Sequence, residues 1–214
     1  MRPVETPREA RLDARAMKVL AHPLRTRLLG ALRLEGPDTA TGLARLLGTN
    51  SGATSYHLRR LADVGLVEET GTGTGRQRVW RAAHDRHSWT TSAAGDDPDA
   101  VAANDWLQQD ATRLAQERVS AWHAEKQSWP LPWRDVAGLS DYFLDLTPDR
   151  LAALLHDLDA VVERYRGETP GEGSHRVFLY LHACPDVLGR PAEPDGGAPA
   201  RPGGSDGDGG GGAS

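Results

Sequence analysis

Between Pro23 and Ala82 the chain changes its hydrophobic period again and again, with a backbone breaker at each change. That punctuation constrains the fold more than any compositional figure. "HPLRTRLLGALRLEG" opens on Pro23 at a first helical position, carries Leu24, Leu28, Leu29 and Leu32 on one stripe, and stops at Gly36-Pro37. "DTATGLARLLG" offers capping hydroxyls at Thr39 and Thr41, an apolar set of Leu43, Leu46 and Leu47, and a terminal Gly48. After Gly48 comes "NSGATSYHLRRLADVGLV", with Asn50 or Ser51 as cap. "GLVEETGTGTGRQRVWRA" then alternates as strand, glycine-rich tip and strand, with Val67 and Val79 as β-formers and Gly71, Gly73 and Gly75 at the turn. Ahead of all this, residues 13–20 repeat Ala16, Val19 and Leu20 at helical spacing.

The order helix, helix, helix, short turn, helix, β-hairpin is that of a winged helix-turn-helix, expected over residues 10–87. Residues 1–9 read as a flexible N-terminus and residues 88–100 as a polar linker. Residues 101–186 read as a dimerisation or effector module: a long helix over Asn104–Lys126, then a small β-α-β unit. Its strands are expected at Leu139–Leu146 and in "HRVFLYLHA", around a helix started by Thr147-Pro148-Asp149. Residues 187–214 are a Gly/Pro-rich tail whose composition cannot bury enough apolar surface to offset ordering entropy. The fold class is therefore α+β.

Charge separates the two halves. The whole chain carries −5, but residues 1–90 hold 15 Arg and Lys against 9 Asp and Glu, leaving 10 against 21 for residues 91–214. A cationic module beside an acidic one is the asymmetry of a chain whose first half meets phosphate. Hence double-stranded DNA is the expected partner. The expected recognition helix is Asn50–Val64, with Thr54, Leu58, Leu61 and Gly65 inward. Asn50, Ser51, Gly52, Ser55, Tyr56, Arg59 and Arg60 are offered to the groove. Small residues allow close approach to its floor, hydroxyls donate or accept, and arginine pairs bidentately with guanine. The expected wing is Thr70–Arg76, where Thr74, Arg76 and Arg78, with Arg81 nearby, contact the backbone. His57 and Trp80 read as structural residues.

Several other functions find little support in the residues. "GTGTG" joins two strands and lacks the Lys-Ser/Thr of a phosphate loop, and no nucleophile has a base at recognisable spacing, so no enzyme is expected. His84 with His87, and His182 with Cys184, each offer two metal ligands where a structural site needs about four. Cys184-Pro185 is only a faint echo of a haem ligand. No metal and no cofactor are expected. A metal- or haem-responsive sensor and a winged helix used only for protein contacts stand as the alternatives. No apolar run reaches membrane length, and a lone Cys184 suits a reducing cytoplasm. Trp106, Trp122 and Tyr142, with Trp129 and Trp133, are offered as the lining of a pocket for an unknown small-molecule effector, against the plainer reading that they pack the core.

"VLAHPLR" at residues 19–25, followed by a hydroxyl-bearing helix with His57-Leu58 and then Gly65-Leu66-Val67, resembles the ArsR-type winged helix-turn-helix regulators over about residues 10–84. The resemblance implies a homodimeric transcriptional regulator with its recognition helix in the major groove and the wing beside it, and a cytoplasmic repressor is expected. Metal-sensing members carry paired cysteines on the helix before the recognition helix. Here "TATGLARLLG" has neither Cys nor His, so that sensing site is not implied.

Overall fold

The computed structural model describes residues 8–73, 77–166 and 168–188. Its elements run β1 (Glu9–Arg11), α1 (Ala14–Leu20), α2 (Pro23–Leu34), β2 (Asp38–Thr39), α3 (Ala40–Leu47) and α4 (Ser51–Ala62). They continue with β3 (Val67–Glu69), β4 (Val79–Ala82), β5 (Arg86–Ser88), α5 (Pro98–Glu125), α6 (Leu131–Val136) and α7 (Pro148–Arg166). Of the expected termini, 1–9 and 187–214, residues 1–7 and 189–214 lie outside the described residues, as do the wing positions Thr74 and Arg76, whereas Glu9 is held in β1 against β5.

Each N-terminal helix starts where a short polar side chain can satisfy free backbone N–H groups. Asp13 Oδ1 accepts from Ala16 N at 2.8 Å, His22 Nδ1 from Leu24 N at 3.1 Å, Thr39 Oγ1 from Gly42 N at 3.0 Å, and Asn50 Oδ1 from Ala53 N at 2.8 Å. α3 ends at Gly48 with φ 64°, a left-handed conformation that a side chain would strain. The sheet beside these helices has the order β2-β4-β3, antiparallel throughout, with Asp38 opposite Trp80 and Val67 opposite Ala82. A second, parallel pair joins β1 to β5, Glu9 opposite Arg86.

The core is built where α1, α2, α3 and α4 meet this sheet. Met17, Leu20, Leu28, Leu29, Leu43, Leu58, Leu61 and Leu66 are essentially withdrawn from water. Each such side chain stabilises the fold by about 1.5–3 kcal/mol relative to its exposed state. Trp80 belongs to this core, as its sequence context suggests. The N-terminal half of α5 joins it through Ala100, Ala103 and Leu107 and lies along α1, while Trp89 Nε1 donates to the buried Asn104 at 3.0 Å. The long helix therefore starts six residues before the expected Asn104, at Asp97-Pro98, where the Asp97 carboxylate caps Asp99 and Ala100.

Beyond α5 the structure departs from the expected β-α-β unit. α7 forms from the anticipated Thr147-Pro148 start, but residues 137–147 form neither helix nor strand and enter no sheet among the described residues. Tyr142 and Phe143 are more than 80% exposed. Alternation alone specifies a strand only when one face is covered and its N–H groups find a neighbour. Here neither condition holds. Leu151, Leu154, Leu158 and Val162 form a half-buried stripe on α7, which is tied to β5 by Arg86–Asp159 at 3.2 Å and Arg86–Glu163 at 4.0 Å. Residues from 177 onward form a separate unit. Its described part likewise forms no helix or strand, with Phe178, Tyr180 and His182 stacked in succession along one side. Among the described residues no helix is long and apolar enough to cross a membrane.

Candidate nucleic-acid interface

α3 and α4 are joined by only three residues, Gly48 to Asn50, so the second helix must turn sharply across the first. Gly42 lets the start of α3 sit against Asp38, since a Cβ there would run into the Asp38 carboxylate. In α4, Thr54, Leu58 and Leu61 are fully buried, and the Thr54 hydroxyl donates to Asn50 O at 3.0 Å, closing the one polar group on the inner face. Gly65, expected on that inner face, is exposed instead. It takes φ 70° and turns the chain out of the helix towards β3.

Because three inner positions are locked into the core, the other side of the helix is fixed in space. Ser51, Gly52, Tyr56, Arg59 and Arg60 are exposed there, and Ser55 is half-buried. Arg60 is already held by Asp63 at 3.2 Å. Arg59 has no ion pair or side-chain hydrogen bond among the described residues, so its guanidinium is the uncommitted cation of the helix. His57 is half-buried with its ring 4.4 Å from that of His22. Burial first, then His22 and Arg25, hold its imidazole below the ordinary histidine range.

Among its described residues the hairpin carries less free charge than its sequence suggests. Arg78 pairs with Glu69 at 2.6 Å and Arg81 with Glu68 at 2.9 Å across the two strands. Register sets Glu68 directly opposite Arg81, whereas Arg78, just before β4, reaches Glu69 diagonally.

The helix-turn-helix match agrees with this geometry: a family model described as a helix-turn-helix domain matches residues 20–70, from the end of α1 to the end of β3. Residues 20–70 are a helix-turn-helix domain. With the β3–β4 hairpin behind it, the domain is winged. Among curated proteins no relative matches. Among solved structures, one similar chain is the homodimeric winged helix-turn-helix DNA-binding domain of a possible ArsR-family transcriptional regulator from Mycobacterium bovis. It is 26% identical with TM-score 0.30, the match covering 53% of this chain and 82% of that one. A possible transcriptional regulator for arsenical resistance is 29% identical with TM-score 0.29, over 50% of this chain and 96% of the other. MarR from E. coli is 19% identical with TM-score 0.28, over 70% and 87%.

Away from this domain, the offered effector pocket is not assembled. Trp106 packs on the core, whereas Trp122 lies sixteen residues further along the same helix, about 24 Å away at the helical rise. Trp122 instead meets Trp129, which with Trp133 surrounds the His175 ring at 5.0 and 5.3 Å, and Tyr142 stands in solvent. A polar cavity of about 380 Å³ lies elsewhere, between β1, α1 and the turn after α4, lined by Glu9, Arg11, Asp13, Arg15 and His84 among others. No sequence pattern announces it, because its walls come from three distant segments. No three His, Cys, Asp or Glu side chains among the described residues converge as a metal site. His87, one of the ligands considered, gives its Nδ1 to Arg33, and Cys184 is exposed.

Proposed function

We propose that this chain is a sequence-specific DNA-binding transcriptional regulator acting as a homodimeric repressor. α4 enters the major groove as recognition helix and the β3–β4 hairpin lies beside it as wing. The observation that carries this reading is the uncommitted Arg59 guanidinium, flanked by the small polar residues Ser51, Gly52 and Ser55 on a helix whose other face is locked in the core. A free, planar donor fork beside small residues is what bidentate reading of a guanine edge requires. Pairing of Arg78 and Arg81 within the hairpin favours a wing that adds little to affinity, leaving α4 dominant.

Residues 10–87 carry the DNA contacts in this reading, and residues 101–186 the assembly role. α5 and α1, which lie together, are the proposed dimer elements. Support comes from the similar Mycobacterium bovis domain, whose structure is homodimeric. Two recognition helices would then read half-sites about 34 Å apart.

The test begins with duplexes selected from a random pool by the full-length chain. Arg59→Ala and Ser55→Ala should each weaken the selected duplex by about 1–3 kcal/mol while leaving scrambled DNA little changed. Equal affinity of wild type and both variants for the selected duplex would rule out α4 as the reading helix.

A further inference from the structure

Beside the outward edge of α4, two helices bring together a second group of nitrogen-rich side chains. His22, the N-cap of α2, and His57, midway along α4, lie ring to ring at 4.4 Å, and Tyr56 packs edge-on against His57 at 5.1 Å. Arg25 sits in the first turn of α2 next to both. The charges that bear on these three are one another, Arg60 and the Tyr56 phenol. Arg25 has no carboxylate partner among the described residues.

The pattern of satisfied and unsatisfied atoms is specific. Arg25 Nε and His57 Nδ1 are buried without a hydrogen-bond partner. Among the described residues no hydrogen bond engages the outer nitrogens of Arg25 or the Nε2 atoms of both imidazoles. His22 Nδ1 accepts the Leu24 N–H, so the proton of its neutral ring sits on Nε2 and is free to be donated. A half-buried guanidinium with no carboxylate counter-ion among the described residues, beside imidazole rings that can donate, is costly to the fold, and an anion relieves that cost.

We propose that Arg25, flanked by His22 and His57, is a phosphate-binding site that takes a backbone phosphodiester of duplex DNA alongside the groove entered by α4. The site rests on the DNA-binding reading and extends it to α2. It positions the domain on the duplex without choosing sequence. An Arg fork suits a phosphate's paired oxygens, and two imidazole edges beside it can donate to the same group.

Arg25→Gln keeps the aliphatic stem and removes the charge, and Arg25→Lys keeps the charge without the fork. Affinity of full-length protein is measured against a selected and a scrambled duplex across a salt series, with circular-dichroism melting as a check that both variants fold. The expected result is an Arg25→Gln loss of about tenfold at low salt on both duplexes, with the log–log salt slope shallower by about 1 per chain and Arg25→Lys in between. Wild-type behaviour of Arg25→Gln would overturn the site while leaving DNA binding intact. Loss confined to the selected duplex would also overturn it, since Arg25 would then read bases. Should the wild type bind neither duplex, the DNA reading itself fails, and inorganic phosphate is added while the His22 and His57 imidazole signals are followed by NMR. Shifts that Arg25→Gln abolishes would assign the site to free phosphate and overturn the backbone source. Unmoved signals would overturn the site altogether.

Discussion

Replacing Leu58 with alanine lowers the stability of the domain by about 3 kcal/mol, within the range of about 2–5 found for buried leucines. Leu58 is fully withdrawn from solvent at the centre of α4, in the cluster formed with Leu28, Leu43 and Leu61. Its removal takes away apolar contact and leaves a cavity between α4 and the packed helices α2 and α3 that cannot collapse fully. The same side chain fixes which side of α4 faces outward, so Leu58→Ala should also weaken duplex binding beyond the fraction unfolded. Urea denaturation measures the first effect. Leu139→Ala serves as its contrast: that side chain is 96% exposed and its loss should change stability by less than about 0.5 kcal/mol. A Leu58→Ala penalty as small as that of Leu139→Ala would mean that α4 does not pack as described.

Acid should destabilise the fold through His87. Burial, and then the charge of Arg33, push its imidazole down to about 4, while its Nδ1 accepts from the Arg33 guanidinium. Arg33 is itself half-buried, donating to His84 O at 3.1 Å, and desolvation lowers its own value to about 10, so it stays charged throughout the acid range. The folded chain therefore holds His87 neutral where the unfolded chain, with an ordinary value of about 6.5, takes up a proton. The stability contributed is fully present above about pH 6.5 and is lost as pH falls from there towards 4. The total is about 3 kcal/mol. His87→Gln keeps an acceptor for Arg33 but cannot titrate. Denaturation midpoints of wild type and variant should thus fall at different rates between pH 7 and pH 4.5, the wild type faster. Parallel loss in both proteins would show that His87 is not held neutral. The comparison is needed because Glu9, held low by its Ser88 hydrogen bond and by Arg86, also gives up stability in acid, as do His22 and His57 through burial.

Much of the N-terminal half is legible because its signals are local. Pro23, Gly48 and Asn50 act within one helical turn of themselves, so the starts of α2 and α4 and the end of α3 follow from sequence. β1 and β5 were invisible for the opposite reason: three residues carry no period, and the partners are separated by 77 positions. The start of α5 was legible in retrospect, since Asp97-Pro98 is a cap followed by proline, but the polar residues around it masked the signal. Alternation at residues 139–146 suggested a strand whose partner the sequence cannot supply by itself. At the site, periodicity placed Arg59 outward and Leu58 inward. It could not foresee that Arg60 and Arg78 would be taken by Asp63 and Glu69, or that α2 would bring Arg25 and His22 up to His57. Those depend on how helices cross and how strands register, which no single segment encodes.

In the function proposed, the outward edge of α4 meets duplex phosphates and base edges, and the salt dependence of affinity for a selected duplex tests this most directly. For a dimer making about six phosphate contacts, log affinity should fall against log salt with a slope of about −5, and a scrambled duplex should fall comparably from a lower starting affinity. A slope near zero, or no difference between selected and scrambled DNA at any salt concentration, would contradict the account.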